Sequence, residues 1–248
     1  MEKSVSKKKL LNVNRLIKNH ELLEYFLWNT QKGICVLQEG CVSKGLLTLL
    51  RKLQGEAAFK DFFLVGGTSL ALQLGHRKSD DIDLFTQKEL RIPEITKYLK
   101  QHHGGKYQLL NSQTMIYQVM IDEIKVDFVH HPFELVEPAF HESQITYLGK
   151  KDIAAMKLHA IEASGSRAKD FVDIFFLLKE MPLEKMFEYY RKKYSTDNIF
   201  NAKRSLIFFD DVPEKSWKEV RLINQKATVN TMKKTIINAV QEFNDRQI

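Results

Sequence analysis

The feature that most constrains this chain is a change of apolar rhythm between residues 62 and 75. Phe62-Phe63-Leu64-Val65 is a short continuous apolar run, and it ends on Gly66-Gly67. A run this short, bounded by glycine, suits a strand buried in a sheet. The pattern that follows is helical. Thr68 can cap a helix that starts at Ser69, carries Leu70, Leu72 and Leu74, and stops at Gly75. A second strand is expected over 81–85. Pro93 opens a helix carrying Ile95, Tyr98 and Leu99, which ends near Gly104-Gly105. Further strands are expected at 107–110, 115–121 and 124–129, the last two joined by a turn at Asp122-Glu123.

Both flanks read as helical. Leu22, Leu23, Phe26 and Leu27 form one apolar set and Leu46, Leu47, Leu49, Leu50 and Leu53 another, with Gly33 and Gly40 between them. Helices are expected at 153–163 and 167–179, separated by Ser164-Gly165-Ser166. Later ones carry Met186, Phe187 and Tyr190, then the stretch from Thr231. The expected architecture is α+β: an N-terminal helical segment (1–60), an α/β core with a mixed sheet (61–148) and a C-terminal helical domain (149–248).

Composition narrows the class. The 248 residues are 44% hydrophobic and 28% charged, ordinary for a soluble globular protein. No apolar run reaches the roughly 18 residues of a membrane helix. Lys7, Lys8 and Lys9 lack a following apolar stretch, so a signal peptide is not expected and a cytoplasmic location is. Cys35 and Cys41 match no metal spacing and read as free thiols. The net charge of +7 fits a polyanionic partner, nucleic acid or a nucleoside triphosphate, and equally a solvated basic surface.

The chemistry lies in carboxylates near the glycine pair. On a strand, Asp81 and Asp83 project to one face, with Ile82 and Leu84 packing behind. Two such carboxylates repel unless a cation lies between them. Mg²⁺ commonly takes one or two carboxylates together with substrate phosphates. Asp127 alternates with Ile124, Val126 and Phe128, and could bring a third carboxylate if its strand runs beside that of Asp83. Gly66 and Gly67 let a ligand approach the backbone, and the N–H groups of the helix start, with the hydroxyls of Thr68 and Ser69, would face a phosphate there. Lys157 lies on the apolar stripe of Ile153, Ala160 and Ile161, where a lone charge is costly. Asp170 and Asp173, three apart on a helix, are its candidate partners.

Val65-Gly66-Gly67-Thr68-Ser69-Leu70 followed by Gly75-His76-Arg77-Lys78-Ser79-Asp80-Asp81-Ile82-Asp83-Leu84-Phe85 resembles the signature of polymerase-β-like nucleotidyltransferases, and more closely the AbiEii/AbiGii abortive-infection toxin family. Downstream, Lys157, then Arg167 and Lys169-Asp170-Phe171-Val172-Asp173-Ile174, is similar to that family's later motif. The resemblance implies a core of that fold and transfer of a nucleoside monophosphate from an NTP to a hydroxyl, with the tRNA 3′ end as acceptor. It further implies Mg²⁺ or Mn²⁺ as cofactor and a cognate antitoxin as partner. By it, Gly66, Gly67, Thr68 and Ser69 hold the triphosphate, Arg77 contacts phosphate, and Lys157 neutralises charge. Asp81, Asp83 and Asp127 bind metal, with Asp127 as third carboxylate or base. Asp170 and Asp173 complete the site or orient Lys157 and Arg167. Transfer to a protein or to a small molecule such as an antibiotic, and a non-catalytic nucleotide-binding module, are the competing readings. His102-His103, His130-His131, Arg191-Lys192-Lys193 and Lys233-Lys234 read as solvated positions, the basic runs also as a possible groove for RNA phosphates.

Overall fold

The computed structural model describes residues 36–223 and 226–246. Lys7–Lys9, the apolar set at Leu22–Leu27, Gly33 and Cys35 lie outside them. Residues from Gln38 onward form one unit. Its first helix, α1 (Lys44–Gln54), is capped by Ser43, whose hydroxyl accepts from the Leu46 N–H at 3.1 Å. The five leucines expected on one face are all buried.

Strand β1 is only Phe63–Leu64, and helix α2 spans Gly66–Leu74, so the helix starts three residues earlier than the sequence suggests. The physical reason is the side chain of Thr68. Its hydroxyl bonds to Ser79 Oγ at 2.8 Å and to the Asp81 carbonyl, so it caps nothing, and the helix enters directly from extended Val65. At the far end Gly75 takes the left-handed conformation, φ 67°, and closes α2 as expected.

Strand β2 (Ile82–Thr86), helix α3 (Ile92–His103) and strands β3 (Tyr107–Gln113), β4 (Ile116–Ile121) and β5 (Ile124–His130) follow in the expected order. Asp122 and Glu123 both have positive φ, the geometry of a two-residue hairpin turn. A further hairpin, β6 (Phe140–Glu142) and β7 (Ile145–Tyr147), turns through Ser143 and Gln144, again both at positive φ. No glycine or asparagine marks that turn, and each strand has three residues, so it carries too little pattern to be foreseen.

The seven strands form one sheet in the order β3-β4-β5-β2-β1-β7-β6. Strands β2 and β5 are parallel, as are β1 and β7, while β1–β2, β3–β4, β4–β5 and β6–β7 are antiparallel. The sheet is therefore mixed, as expected. Period-2 alternation divides its faces. Ile82, Leu84, Val126 and Phe128 are fully buried, with the Phe128 ring stacked on Phe59 at 5.3 Å. The opposite face carries Asp83 and Asp127.

Helices α4 (Lys150–Ala163), α5 (Ala168–Leu177), α6 (Leu183–Tyr194), α7 (Phe200–Leu206), α8 (Glu214–Lys218) and α9 (Val229–Asp245) complete the chain. One apolar cluster runs from Val65 and Leu70 through Ile153, Phe171 and Phe187 to Phe243, so the sheet and the later helices share a core. Among the described residues, no helix is long and apolar enough to cross a membrane. Cys41 is a buried free thiol.

The side chains of His103 and Lys193, expected at solvated positions, are buried instead. His103 keeps only 5% of its side-chain exposure. Lys193, expected on an exposed helix face, is 1% exposed and bonds Asp152 at 2.7 Å. Asp152 also accepts from the backbone N–H groups of Val136 and Glu137, at 3.0–3.2 Å. Lys192 donates to the Val136 carbonyl at 2.8 Å. These bonds fasten the segment that leaves β5 to α4 and α6. Asp152→Ala leaves the buried Lys193 ammonium with only the Glu134 carbonyl, 3.3 Å away, and takes the acceptor from the Val136 and Glu137 N–H groups. The expected cost is about 3–5 kcal/mol, read as a lower midpoint in chemical denaturation; a loss under about 1 kcal/mol would contradict the assigned pairing.

Candidate active site

The register of β2 against β5 pairs Asp83 with Asp127 directly, and two parallel strands lie about 4.8 Å apart. Asp81 precedes β2 by one residue. All three line a cavity of about 420 Å³ together with Gly66, Gly67, Arg77, Lys157, Arg167 and Asp170. Pockets of this size hold small-molecule substrates.

Burial pushes the Asp83 carboxyl up to about 6, and the negative charges of Asp127 and Asp81 add to the shift, while Lys157 and Lys125 oppose it. Asp127 divides its two oxygens. Its Oδ2 accepts from Gln118 Nε2 at 2.9 Å and Lys125 Nζ at 2.7 Å. Its Oδ1 is buried with no partner. A buried, unsatisfied carboxylate oxygen is costly, and beside a second carboxylate it suits a divalent cation. Among the described residues, no three His, Cys, Asp or Glu side chains close into a ready-made metal cage. The fit is thus a carboxylate pair completed by ligand oxygens, the manner in which Mg²⁺ is usually held.

The glycine pair has a local explanation. Gly66 has φ 66°, and a Cβ there would run into the Asp83 carboxylate; one at Gly67 would run into the Arg77 guanidinium. Both side chains press against the turn, and only glycine leaves room. The hydroxyls of Thr68 and Ser69 do not face the cavity as expected. Thr68 is spent as described, and Ser69 donates to the Leu148 carbonyl at 3.0 Å. What α2 offers a ligand is its first backbone N–H groups, which no side chain caps.

Beneath the turn lies a charge network. Arg77 is 1% exposed and grips Asp173 with two bonds, Nε to Oδ1 at 2.7 Å and Nη2 to Oδ2 at 2.9 Å. The expectation that Arg77 meets a phosphate is therefore corrected: its guanidinium is committed to a carboxylate. Lys157 lies 2.7 Å from both Asp170 Oδ1 and Asp173 Oδ2. His76 Nε2 is 2.8 Å from Asp173 Oδ1. Burial alone would raise the Asp173 carboxyl. Arg77 and Lys157 beside it, with hydrogen bonds from Arg77 and His76, instead hold it well below the usual carboxylate range. Burial likewise opposes the charge on Lys157, but Asp170 and Asp173 keep its ammonium above the ordinary lysine value. Arg167 bonds Asp170 at 2.9 Å through Nε while its side chain stays 65% exposed. It is thus the cation of the network most open to a ligand.

Sequence reasoning did not single out Gln118 or the far wall of the cavity, where Phe85, Phe133, His159 and Tyr194 lie. They come from five elements and loops with no common motif. His131 was read as solvated, yet its Nε2 is buried without a partner. Lys125 could have been found, since it stands two residues before Asp127 and so on the same strand face.

The raised Asp83 carboxyl has a consequence for stability in metal-free solution. A folded-state value above the unfolded one favours the protonated form, so stability falls as pH rises from about 4 to about 6 and the penalty persists above that. Asp83→Asn removes the charge at nearly constant shape. It is expected to melt higher than wild type at pH 8 with chelator present, by about 1–2 kcal/mol after allowing for partial solvation. The advantage should vanish at pH 4; an equal difference at both pH values would contradict the assignment.

Residues 48–237 match the family model described as "Nucleotidyl transferase AbiEii toxin, Type IV TA system". A protein of Aquifex aeolicus (strain VF5), named "Uncharacterized protein aq_aa25", is 32% identical over 185 residues, covering 69% of this chain and 88% of that protein. Among solved structures, JHP933 from Helicobacter pylori matches with a TM-score of 0.53 at 15% identity, over 83% of this chain and 94% of that one. Another H. pylori structure, described provisionally as a nucleotidyltransferase, matches with a TM-score of 0.52 at 14% identity, over 82% and 96%. At such identities the structural likeness speaks for the fold. The family match extends over most of the chain, across both the glycine–aspartate segment and the Lys157–Asp173 segment: the chain is an α+β nucleotidyltransferase and belongs to the AbiEii toxin family.

Proposed function

We propose that the enzyme moves a nucleoside monophosphate from an NTP to a hydroxyl on RNA, the 3′ end of tRNA being the intended acceptor, with Mg²⁺ or Mn²⁺ bound at Asp81, Asp83 and Asp127. The observation that carries this reading is the in-register pair Asp83 and Asp127, with the orphan Oδ1 of Asp127, beside the uncapped start of α2. In this reading the backbone N–H groups at Gly66 and Gly67 receive phosphate oxygens. Arg167 and Lys157 balance their charge, and Asp170 and Asp173 hold those two cations in place. The bound cation would draw charge from the triphosphate and favour an ionised acceptor hydroxyl. Through Oδ1, Asp127 serves either as the cation's third ligand, the hydroxyl proton then leaving to solvent, or, with the cation on Asp81 and Asp83 alone, as the base that takes that proton. The acceptor oxygen then bonds to the α-phosphorus as the bond to pyrophosphate breaks.

RNA is favoured as acceptor by the net charge of +7 and by Arg167 and Lys169 among the cavity-lining cations. A toxin role, restrained by an antitoxin partner, extends the family's description to this chain. Incubation with Mg²⁺, labelled NTPs and total tRNA is the test. Wild type is expected to transfer label, chelator to abolish the transfer, and Asp83→Ala or Asp127→Ala to lower it about 100-fold or more. Equal transfer by Asp83→Ala, or label passing only to protein fractions or aminoglycosides offered in parallel, would overturn the assignment.

A further inference from the structure

The cavity that holds the carboxylates has two chemically different ends. Alternation along the strands creates the difference. On β2 the cavity face reads Asp81, Asp83, Phe85, and on β5 it reads Asp127, Val129, with His131 next in line. Phe85 pairs with Val129 in the register that pairs Asp83 with Asp127. The acidic pair Asp83–Asp127 therefore gives way to the apolar pair Phe85–Val129 about 6.6 Å further on, two residues at about 3.3 Å each. Met156 of α4 and Tyr194 of α6 line the cavity as well.

The apolar end is walled by rings. Phe133 lies 4.7 Å from His131 and 4.8 Å from Tyr194, centroid to centroid. Tyr194 stacks on His159 at 4.5 Å, and Phe85 lies 5.3 Å from His131. Phe133 nevertheless remains 36% exposed, and the His131 Nε2 is buried without a partner. Burial, with the nearby Lys193 charge, lowers the His131 imidazole to about 4, so the ring is neutral near pH 7. The wall is also fixed in place. The His131 N–H donates to the Thr86 carbonyl at 2.8 Å, Gln87 donates to the Phe133 carbonyl at 3.0 Å, and the Asp152–Lys193 pair fastens the chain just beyond.

We propose that this end is a nucleobase subsite, in which one flat heteroaromatic ring stacks on the part-exposed Phe133, edge-on to Tyr194, whose plane lies 71° from that of Phe133, while His131 Nε2 meets its polar edge. A ligand that is anionic at one end and flat at the other matches the cavity along its length, and a nucleotide has that form. Base–aromatic stacking tolerates any base, because each has a π-face, whereas the single histidine nitrogen offers one hydrogen bond for discrimination. The inference rests on the phosphate placement proposed above. The base belongs either to the NTP or to the terminal nucleotide of the RNA acceptor, and both present the same chemistry.

Binding, rather than turnover, separates these cases. Wild type, Phe133→Ala and Phe133→Tyr are titrated by calorimetry in Mg²⁺ buffer with each of the four NTPs, with inorganic tripolyphosphate, and with a single-stranded RNA oligonucleotide. Phe133→Ala is expected to weaken at least one NTP or the RNA by five- to a hundredfold. It should leave tripolyphosphate within twofold, and Phe133→Tyr should restore the loss. A loss confined to NTPs assigns the ring to the donor nucleotide, and a loss confined to RNA assigns it to the acceptor. The proposal is overturned if Phe133→Ala binds NTPs and RNA as wild type does, if it weakens tripolyphosphate equally, or if wild type binds tripolyphosphate as tightly as every NTP. Should Asp83→Ala transfer label normally while the Phe133→Ala losses hold, the catalytic reading fails and the subsite stands.

Discussion

Asp173 is the carboxylate on which the site is built. It is completely buried, and it answers Arg77 on the segment before β2, Lys157 on α4 and His76 beside Arg77. Bringing that many ionisable groups out of water is repaid only by close, well-aligned bonds, and removing any one partner strands the others. The consequence reaches the backbone. Arg77, held by Asp173, passes so near Gly67 that no side chain fits there, and Asp83 does the same at Gly66. The glycine pair, the aspartate strand and the two later helices are thus parts of one electrostatic assembly.

That assembly leaves a second pair of carboxylates only partly answered, by Lys125 and Gln118 at one oxygen of Asp127. Asp83 and Asp127 stand side by side in the sheet, one pushed up in pKa by burial and by its neighbour, the other with an oxygen buried and unbonded. A protein at equilibrium tolerates such a cost where function requires it. The contrast between Asp173, oversupplied with cations, and the Asp83–Asp127 pair, undersupplied, is what marks the place where a cation and a charged substrate belong.

Much of this was legible from residue order. The buried strand before Gly66, the stop at Gly75, the hairpin through Asp122-Glu123 and the paired aspartates three apart on α5 all follow from local rules of period and turn chemistry. So did the partnership of Lys157 with Asp170 and Asp173, because a charge on an apolar stripe must find a partner. What misled was the assumption that polar groups near the glycine turn face a ligand. Arg77, Thr68 and Ser69 each turn inward to satisfy a buried acceptor or donor, and the sequence carries no sign of that choice. Lys193 was misread for the same reason: three adjacent basic residues look like an exposed face until Asp152, forty-one positions earlier, is brought against the last of them.

By itself the sequence determined the longer elements of the core, their alternation and the face on which Asp81 and Asp83 project, since these depend on neighbours within a few residues; the β6–β7 hairpin and the short helices α7 and α8 were not among them. Only the tertiary structure decided that β5 runs parallel to β2 with Asp127 level with Asp83, and that aromatic rings from β2, α4, α6 and the loop after β5 close the far end of one cavity. Register and convergence arise from the packing of many distant side chains at once, and no short stretch of sequence encodes a sum of that kind.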